Sequence, residues 1–246
     1  MSQKVKKKKN GGKGLLVLSL MAVVCAAAVI VVVFLPDLAS KDPAKDSSGD
    51  QSIHVDLENQ KPINLGYGLE IVDAGRYTGL YMEDGSNEIL SDMMMVVVRN
   101  SGESDFQLAE ITANCGAEEY HFTLTNLAVG GQAVLLDQNR KPAVDEPVTS
   151  AIMDTPVLFQ EPMSLQEDVI QVSGLKGMLN VKNISASDIA NDIYVYYKYA
   201  GQDIFYGGIT FRVCVEGGLK SGEIRQIPAG HYSPDGCAIV QVTTHG

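Results

Sequence analysis

Acid pairs, histidines and cysteines are the residues of this 246-residue chain whose types could do chemistry. Glu118 with Glu119, and Asp84 with Glu88, are close enough in sequence to act as a general acid and a general base if the fold pairs them. The surrounding stretch, Glu83 to Glu88, is acidic but lacks the ligand spacing of a calcium loop, and it reads as a hairpin turn. His54, His121, His231 and His245 are scattered, with neither a His-x-x-x-His nor a Cys-x-x-Cys spacing, so no zinc site is legible. Cys25 sits in an apolar run as a small apolar residue, and Cys115, Cys214 and Cys237 lie beyond it. Cys214 and Cys237 are the expected disulfide pair. Their bond would close a loop of about two dozen residues and contribute roughly 3 kcal/mol through the unfolded state.

One further spacing touches catalysis. Ser173-Gly174-Leu175-Lys176 fits S-x-x-K, and Lys220-Ser221-Gly222 is similar to K-T-G; together they resemble the motifs of penicillin-binding proteins and serine β-lactamases. That resemblance implies a helix opened by the serine and a large α/β domain between the two motifs. Here Gly174 and Gly177 flank the lysine, a strand-like run follows, and only 44 residues separate Lys176 from Lys220. Neither G-x-x-x-x-G-K nor G-x-S-x-G occurs. The expectation is a non-catalytic chain with no catalytic residues, cofactor or metal.

The elements that position these residues read as strands. Met93 to Val98 and Ala133 to Leu136 are continuous apolar runs, while Ile111, Ala113 and Cys115, and Tyr120, Phe122 and Leu124, alternate with polar neighbours. Further runs are Val169 to Val172, Met178 to Val181, Ile193 to Tyr199, Ile209 to Val215 and Ala238 to Val242. They are rich in Val, Ile, Tyr and Phe, and Gly, Asn, Asp and Pro separate them, which predicts an all-β part.

This part shows internal similarity. Val98-Arg99-Asn100-Ser101 followed by Asp105-Phe106 returns 83 residues later as Val181-Lys182-Asn183-Ile184 followed by Asp188-Ile189. Leu127-Ala128-Val129-Gly130 is similar to Ile227-Pro228-Ala229-Gly230 at an offset of 100, which places about 17 extra residues near Gly207 to Gly222. The Asn turns serve the backbone locally, and Asn183-Ile184-Ser185 also fits a glycosylation acceptor. No clean strand is legible between Gly217 and Ile227.

Each copy has an apolar strand ending in basic-Asn-polar, a polar turn, a second strand, and an apolar-x-x-Gly turn before a last strand. This resembles bacterial immunoglobulin-like modules of the cell-adhesion-related class, over residues 64 to 143 and 167 to 243. The resemblance implies tandem β-sandwiches used for spacing or binding.

Residues 15 to 35, LLVLSLMAVVCAAAVIVVVFL, carry no charge. As a helix they would be roughly 31 Å long, matching a hydrocarbon core of about 30 Å. Pro36 and Asp37 end the run. The run is longer than the core of a cleaved signal peptide, and Val24 and Ala22 stand where a lipoprotein motif at Cys25 requires other residues. Six lysines precede the run within residues 1 to 14, so the N-terminus is expected to be cytoplasmic. The part beyond Leu35 holds 13 basic and 30 acidic residues, a net charge of −17 that disfavours nucleic acid.

The expected organisation is therefore a basic cytoplasmic segment (1–14), a transmembrane helix (15–35), a flexible linker (36–63), a first β-sandwich (64–143), a connector (144–166) and a second β-sandwich (167–246); the connector region, with Pro142, Pro147, Pro156 and Pro162, reads as an edge strand or an irregular segment whose apolar residues pack against a domain. The expected partners are membrane lipid through residues 15–35 and a protein or glycan in the cell envelope. The expected role is a single-pass, non-catalytic interaction or scaffold module of the cell membrane. An envelope enzyme or enzyme accessory, and a filament subunit, are the alternatives.

Overall fold

The structure, a computed structural model, describes residues 54–57, 61–86 and 88–244. The expected membrane span, the basic segment before it and most of the linker lie outside the described residues, as does His245.

The described residues are all-β. The N-terminal half holds β1 (His54–Leu57), β2 (Ile63–Gly66), β3 (Leu69–Leu80), β4 (Ile89–Asn100), β5 (Phe106–Cys115), β6 (Glu118–Leu127), β7 (Gln132–Leu136) and β8 (Val148–Leu158). The C-terminal half holds β9 (Ile170–Leu175), β10 (Met178–Asn183), β11 (Ile193–Ala200), β12 (Phe205–Val215), β13 (Ile224–Pro228) and β14 (Cys237–Thr243). Three sheets result. Two have three strands, in the orders β6-β5-β8 and β13-β10-β9. The third has eight strands and runs β1-β3-β4-β7-β12-β11-β14, with β2 also on β3, so one sheet crosses from one half into the other.

In the N-terminal half, the inner face of β3-β4-β7 packs on β6-β5-β8. Val96, Val98, Ala133 and Leu135 meet Phe106, Ile111, Tyr120 and Phe122 in that core. In the C-terminal half, β12-β11-β14 packs on β13-β10-β9, with Val195, Tyr197 and Val242 against Leu179, Val181 and Ile227. A third cluster explains the continuous apolar runs. Met93, Met95, Val97, Val134 and Leu136 face the other way and are covered by Tyr199, Ile204 and Tyr206 of the β11–β12 hairpin. Strands β4 and β7 are thus buried on both faces, and a strand so placed needs apolar residues at every position.

The internal similarity recurs in the hydrogen bonds. Asn100 Nδ2 donates to Ser104 O (3.0 Å) and Leu127 O (3.2 Å), and Gly102 N–H donates to Asn100 Oδ1 (3.0 Å). Asn183 Nδ2 donates to Ser187 O (2.8 Å) and Leu219 O (3.1 Å), and Ser185 N–H donates to Asn183 Oδ1 (2.9 Å). Asp105 accepts from Val129 N–H (2.8 Å) as Asp188 accepts from Ser221 N–H (2.8 Å). The positions before the hairpin match at an offset of 83, and those after it at 92.

This corrects the offset of 100 drawn from sequence. Gly130, not far from Leu127, matches Gly222 rather than Gly230: both have positive φ (80° and 76°), and both donate their N–H to the Asn carbonyl. The inserted length is nine residues, and it falls earlier than expected. The two-residue turn Gly116-Ala117 between β5 and β6 corresponds to residues 199–209 of the β11–β12 hairpin. The second half also has the strand that sequence did not show: β13 pairs with β10 from Met178↔Pro228 to Lys182↔Ile224. Ile224, Arg225 and Gln226 hid it, because only Ile227 of that strand faces the core. Of the two readings of the stretch between the copies, the edge strand holds: it contains the eleven-residue strand β8, which pairs with β5 despite Pro156. It tolerates the proline because it is an edge strand.

Candidate functional site

The residues singled out for chemistry are dispersed and held by the fold. Lys176 lies in the β9–β10 turn, whereas Lys220, Ser221 and Gly222 lie at the far end of β10, where Gly222 N–H donates to Asn183 O (3.0 Å). A strand of this length keeps the two motifs roughly 17 Å apart. Asp84 and Glu88 both bind Arg140, Glu88 at 2.6 Å, and Glu118 binds Lys141 at 3.2 Å. Cys214 and Cys237 do not form the expected bond and are free thiols. They sit on the two strands flanking β11, Cys214 opposite Tyr194 and Cys237 opposite Tyr199. Five residues along β11 and two strand spacings separate them, which is far beyond disulfide reach. Asn183 is fully buried with its amide nitrogen donating twice, so its glycosylation motif serves the turn.

Three features stand out. The first is the junction of the halves. The hairpin extension places β12 parallel to β7, Phe205 opposite Ala133 and Tyr206 opposite Val134. Glu83, in the loop between β3 and β4, turns its carboxylate inward. It accepts from Leu136 N–H (2.9 Å), from Gly208 N–H (2.9 Å) and from Ile209 N–H (3.2 Å). Lys198 on β11 is fully buried, and its ammonium donates to Thr125 O (2.7 Å) and Gly208 O (2.7 Å). Asn126 Nδ2 donates to Gln241 Oε1 (2.7 Å), tying β6 to β14. Gly208 has no room for a side chain, since an added Cβ would run into the Thr123 carbonyl of β6.

The electrostatics of this junction are finely balanced. Burial pushes the Glu83 carboxyl above the usual carboxylate range, against the pull of the Leu136 and Gly208 amides and of Lys198. Burial also draws the Lys198 ammonium down to about 7, with Glu83 opposing. Glu83's partners are all donors and Lys198's are all acceptors, so the geometry fits the carboxylate and the ammonium. Neither residue stood out in sequence. Glu83 reads as one more acid in a turn, and Lys198 as a polar break in an aromatic strand. Its signal is that break: a lysine between Tyr197 and Tyr199 must either face solvent or find buried acceptors.

The second feature is a polar hollow of about 410 Å³ on the outer face of β6-β5-β8, where Glu110 stands opposite Asp154 and Thr112 opposite His121. Thr112 Oγ1 lies 3.3 Å from His121 Nδ1, and His121 Nε2 lies 3.1 Å from Glu119. Among the described residues no group of three His, Cys, Asp or Glu could hold a metal ion. The third feature is a groove of about 520 Å³ in the C-terminal half, between β9 and β14, lined by Leu165, Ile170, Val172, Ile184, Ile239 and Val242 together with Glu167 and Gln171.

No family model matches this chain, and no curated protein or solved structure matches it.

Proposed function

We propose that this chain is a membrane-anchored extracytoplasmic interaction module. Residues 15–35 hold it in the membrane with the N-terminus inside, residues 36–63 tether it, and two immunoglobulin-like β-sandwiches project outward to meet a protein or glycan of the cell envelope. The observation that carries this reading is the junction. A sheet running through β4-β7-β12-β11 and a buried acid–base clasp make the two halves one stiff body, as a spacer or presenting module requires. The surface acids support it too, because their ion pairs with Arg140 and Lys141 are those of a solvated face.

Topology and binding are tested together. A reporter active only outside the membrane, fused after residue 60, should be active in cells, and one fused before residue 15 should not. Crosslinking of intact cells should then capture a reproducible envelope partner. The reverse reporter pattern, or no reproducible partner, refutes the proposal.

A second reading, an envelope enzyme, draws on the Thr112–His121–Glu119 line, in which a hydroxyl, an imidazole and a carboxylate meet within hydrogen-bonding reach. Labelling of Thr112 by a hydroxyl-reactive phosphonate, lost in His121→Ala, would favour it.

A further inference from the structure

The two halves differ in what closes their open edge. In the N-terminal half β2 lies along β3 and also touches β8, with Ile63 opposite Ile71 and Gly66 opposite Leu69. Ile63 and Leu65 pack on the core there. The matching strand in the C-terminal half is β9. Leu69 and Ile170 each stand opposite the repeated asparagine, and Ile71 and Val172 each stand opposite the matching valine, Val98 or Val181.

Past Ile170, however, the outer edge of β9 has no strand beside it among the described residues. The preceding chain turns at Gln166, whose φ is 49°, and crosses to the opposite sheet, where Ser164 O accepts from Val242 N–H (2.9 Å). The groove between β9 and β14 is therefore the place that β2 fills in the other half, left without its strand.

We propose that this groove receives an extended peptide segment of a partner protein as an added antiparallel strand along β9. Two apolar side chains, two residues apart, fill the positions that Ile63 and Leu65 fill in the N-terminal half. Backbone hydrogen bonds to the free edge supply affinity, and the alternating side chains supply selectivity. Glu167 on the rim favours a basic residue beside the strand, as Lys61 stands before β2. Strand β2 itself is bound to β3, and the occupant proposed for β9 is a strand of the same pattern from another protein.

This inference deepens the interaction-module reading and rests on it. The test is a titration of full-length chain in detergent micelles against a fluorescein-labelled peptide of sequence KPINLGYG, residues 61–68, read by anisotropy. Saturable binding is expected. It should weaken at least tenfold with Ile184→Lys in the protein, a substitution at a position 43 % exposed that should leave the melting temperature unchanged. It should also weaken when both Ile63 and Leu65 of the peptide are replaced by Ser. Absence of saturable binding, or binding that ignores both changes and so reports partition into detergent, overturns the proposal. Self-association that Ile184→Lys abolishes assigns the groove to a second copy and overturns it as well. Undiminished capture of an envelope partner by Ile184→Lys refutes the groove while leaving the module reading standing.

Discussion

Glu83 and Lys198 hold the two backbone polar groups of one residue: Gly208 donates its N–H to the Glu83 carboxylate at 2.9 Å, and its carbonyl accepts from the Lys198 ammonium at 2.7 Å. One charge comes from the N-terminal half and the other from the C-terminal half, and the residue between them belongs to the hairpin extension that joins the sheets. A glycine is needed because β6 passes too close for a Cβ.

Removing either side chain leaves buried backbone groups without that partner: the Leu136, Gly208 and Ile209 amides for Glu83, and the Thr125 and Gly208 carbonyls for Lys198. Glu83→Gln and Lys198→Met are each expected to lower stability in urea denaturation by about 1–3 kcal/mol. The double variant should cost less than the sum of the two, because both side chains act on Gly208. Additivity in that cycle would show that the two charges do not interact.

The junction also sets a pH dependence. Lys198 is drawn down to about 7 in the folded protein, while a lysine in the unfolded chain titrates near about 10.4. Between these values the unfolded chain holds a proton that the folded one has released. Stability from Lys198 is therefore complete above the upper value and lost as pH falls through the lower one. Glu83 runs the opposite way: its raised carboxyl contributes most in acid and loses that contribution as pH rises through its folded value. The expected measurement is a urea midpoint rising from pH ~7 to ~9 in the natural chain relative to Lys198→Met.

Asn100 and Asn183 should respond alike to substitution. Alanine at either position removes three hydrogen bonds made by the asparagine side chain, at about 0.5–1.5 kcal/mol each; at Asn183 the Ser187 and Leu219 carbonyls keep the Ser185 hydroxyl and the Ile189 N–H as donors. Aspartate should be worse than alanine at both positions, since a carboxylate would face the two carbonyl oxygens its amide now serves. Thermal melts of the four variants check both expectations. A large loss at one asparagine with none at the other would break the equivalence of the two corners.

Replacing residues 199–209 by the Gly-Ala turn of the β5–β6 hairpin should uncouple the halves. The change removes the β7–β12 pairing and the Tyr199, Ile204 and Tyr206 cover over Met93, Met95 and Val134. Unfolding followed by tyrosine fluorescence should then split into two transitions, with new binding of a hydrophobic dye. A single unchanged transition would show that the extension does not join them.

Much of the strand content was legible from local pattern. Alternation placed Ile111 to Cys115 and Tyr120 to Leu124 with their apolar faces inward, and the Asn corners marked the ends of equivalent strands, because a turn that needs a side-chain amide imposes itself on the sequence. Edge strands were hard to read for the opposite reason. In β13 only one apolar residue faces a core, and β8 carries a proline, so neither shows the signature of a buried strand. The second offset was misread because Gly230 resembles Gly130 in its neighbours, whereas Gly222 shares its hydrogen bond.

By itself the sequence determined an all-β part built of short strands, the doubled Asn corners and a charge-free run of 21 residues at 15–35, since each of these is a property of neighbouring residues. Only the tertiary structure decided that nine residues in one hairpin join the halves, that Glu83 and Lys198 meet across Gly208, and that no described strand takes the place of β2 beside β9. Those depend on contacts between residues more than a hundred positions apart, as Glu83 and Gly208 are, and a pairing over that distance leaves no periodicity in the chain to read.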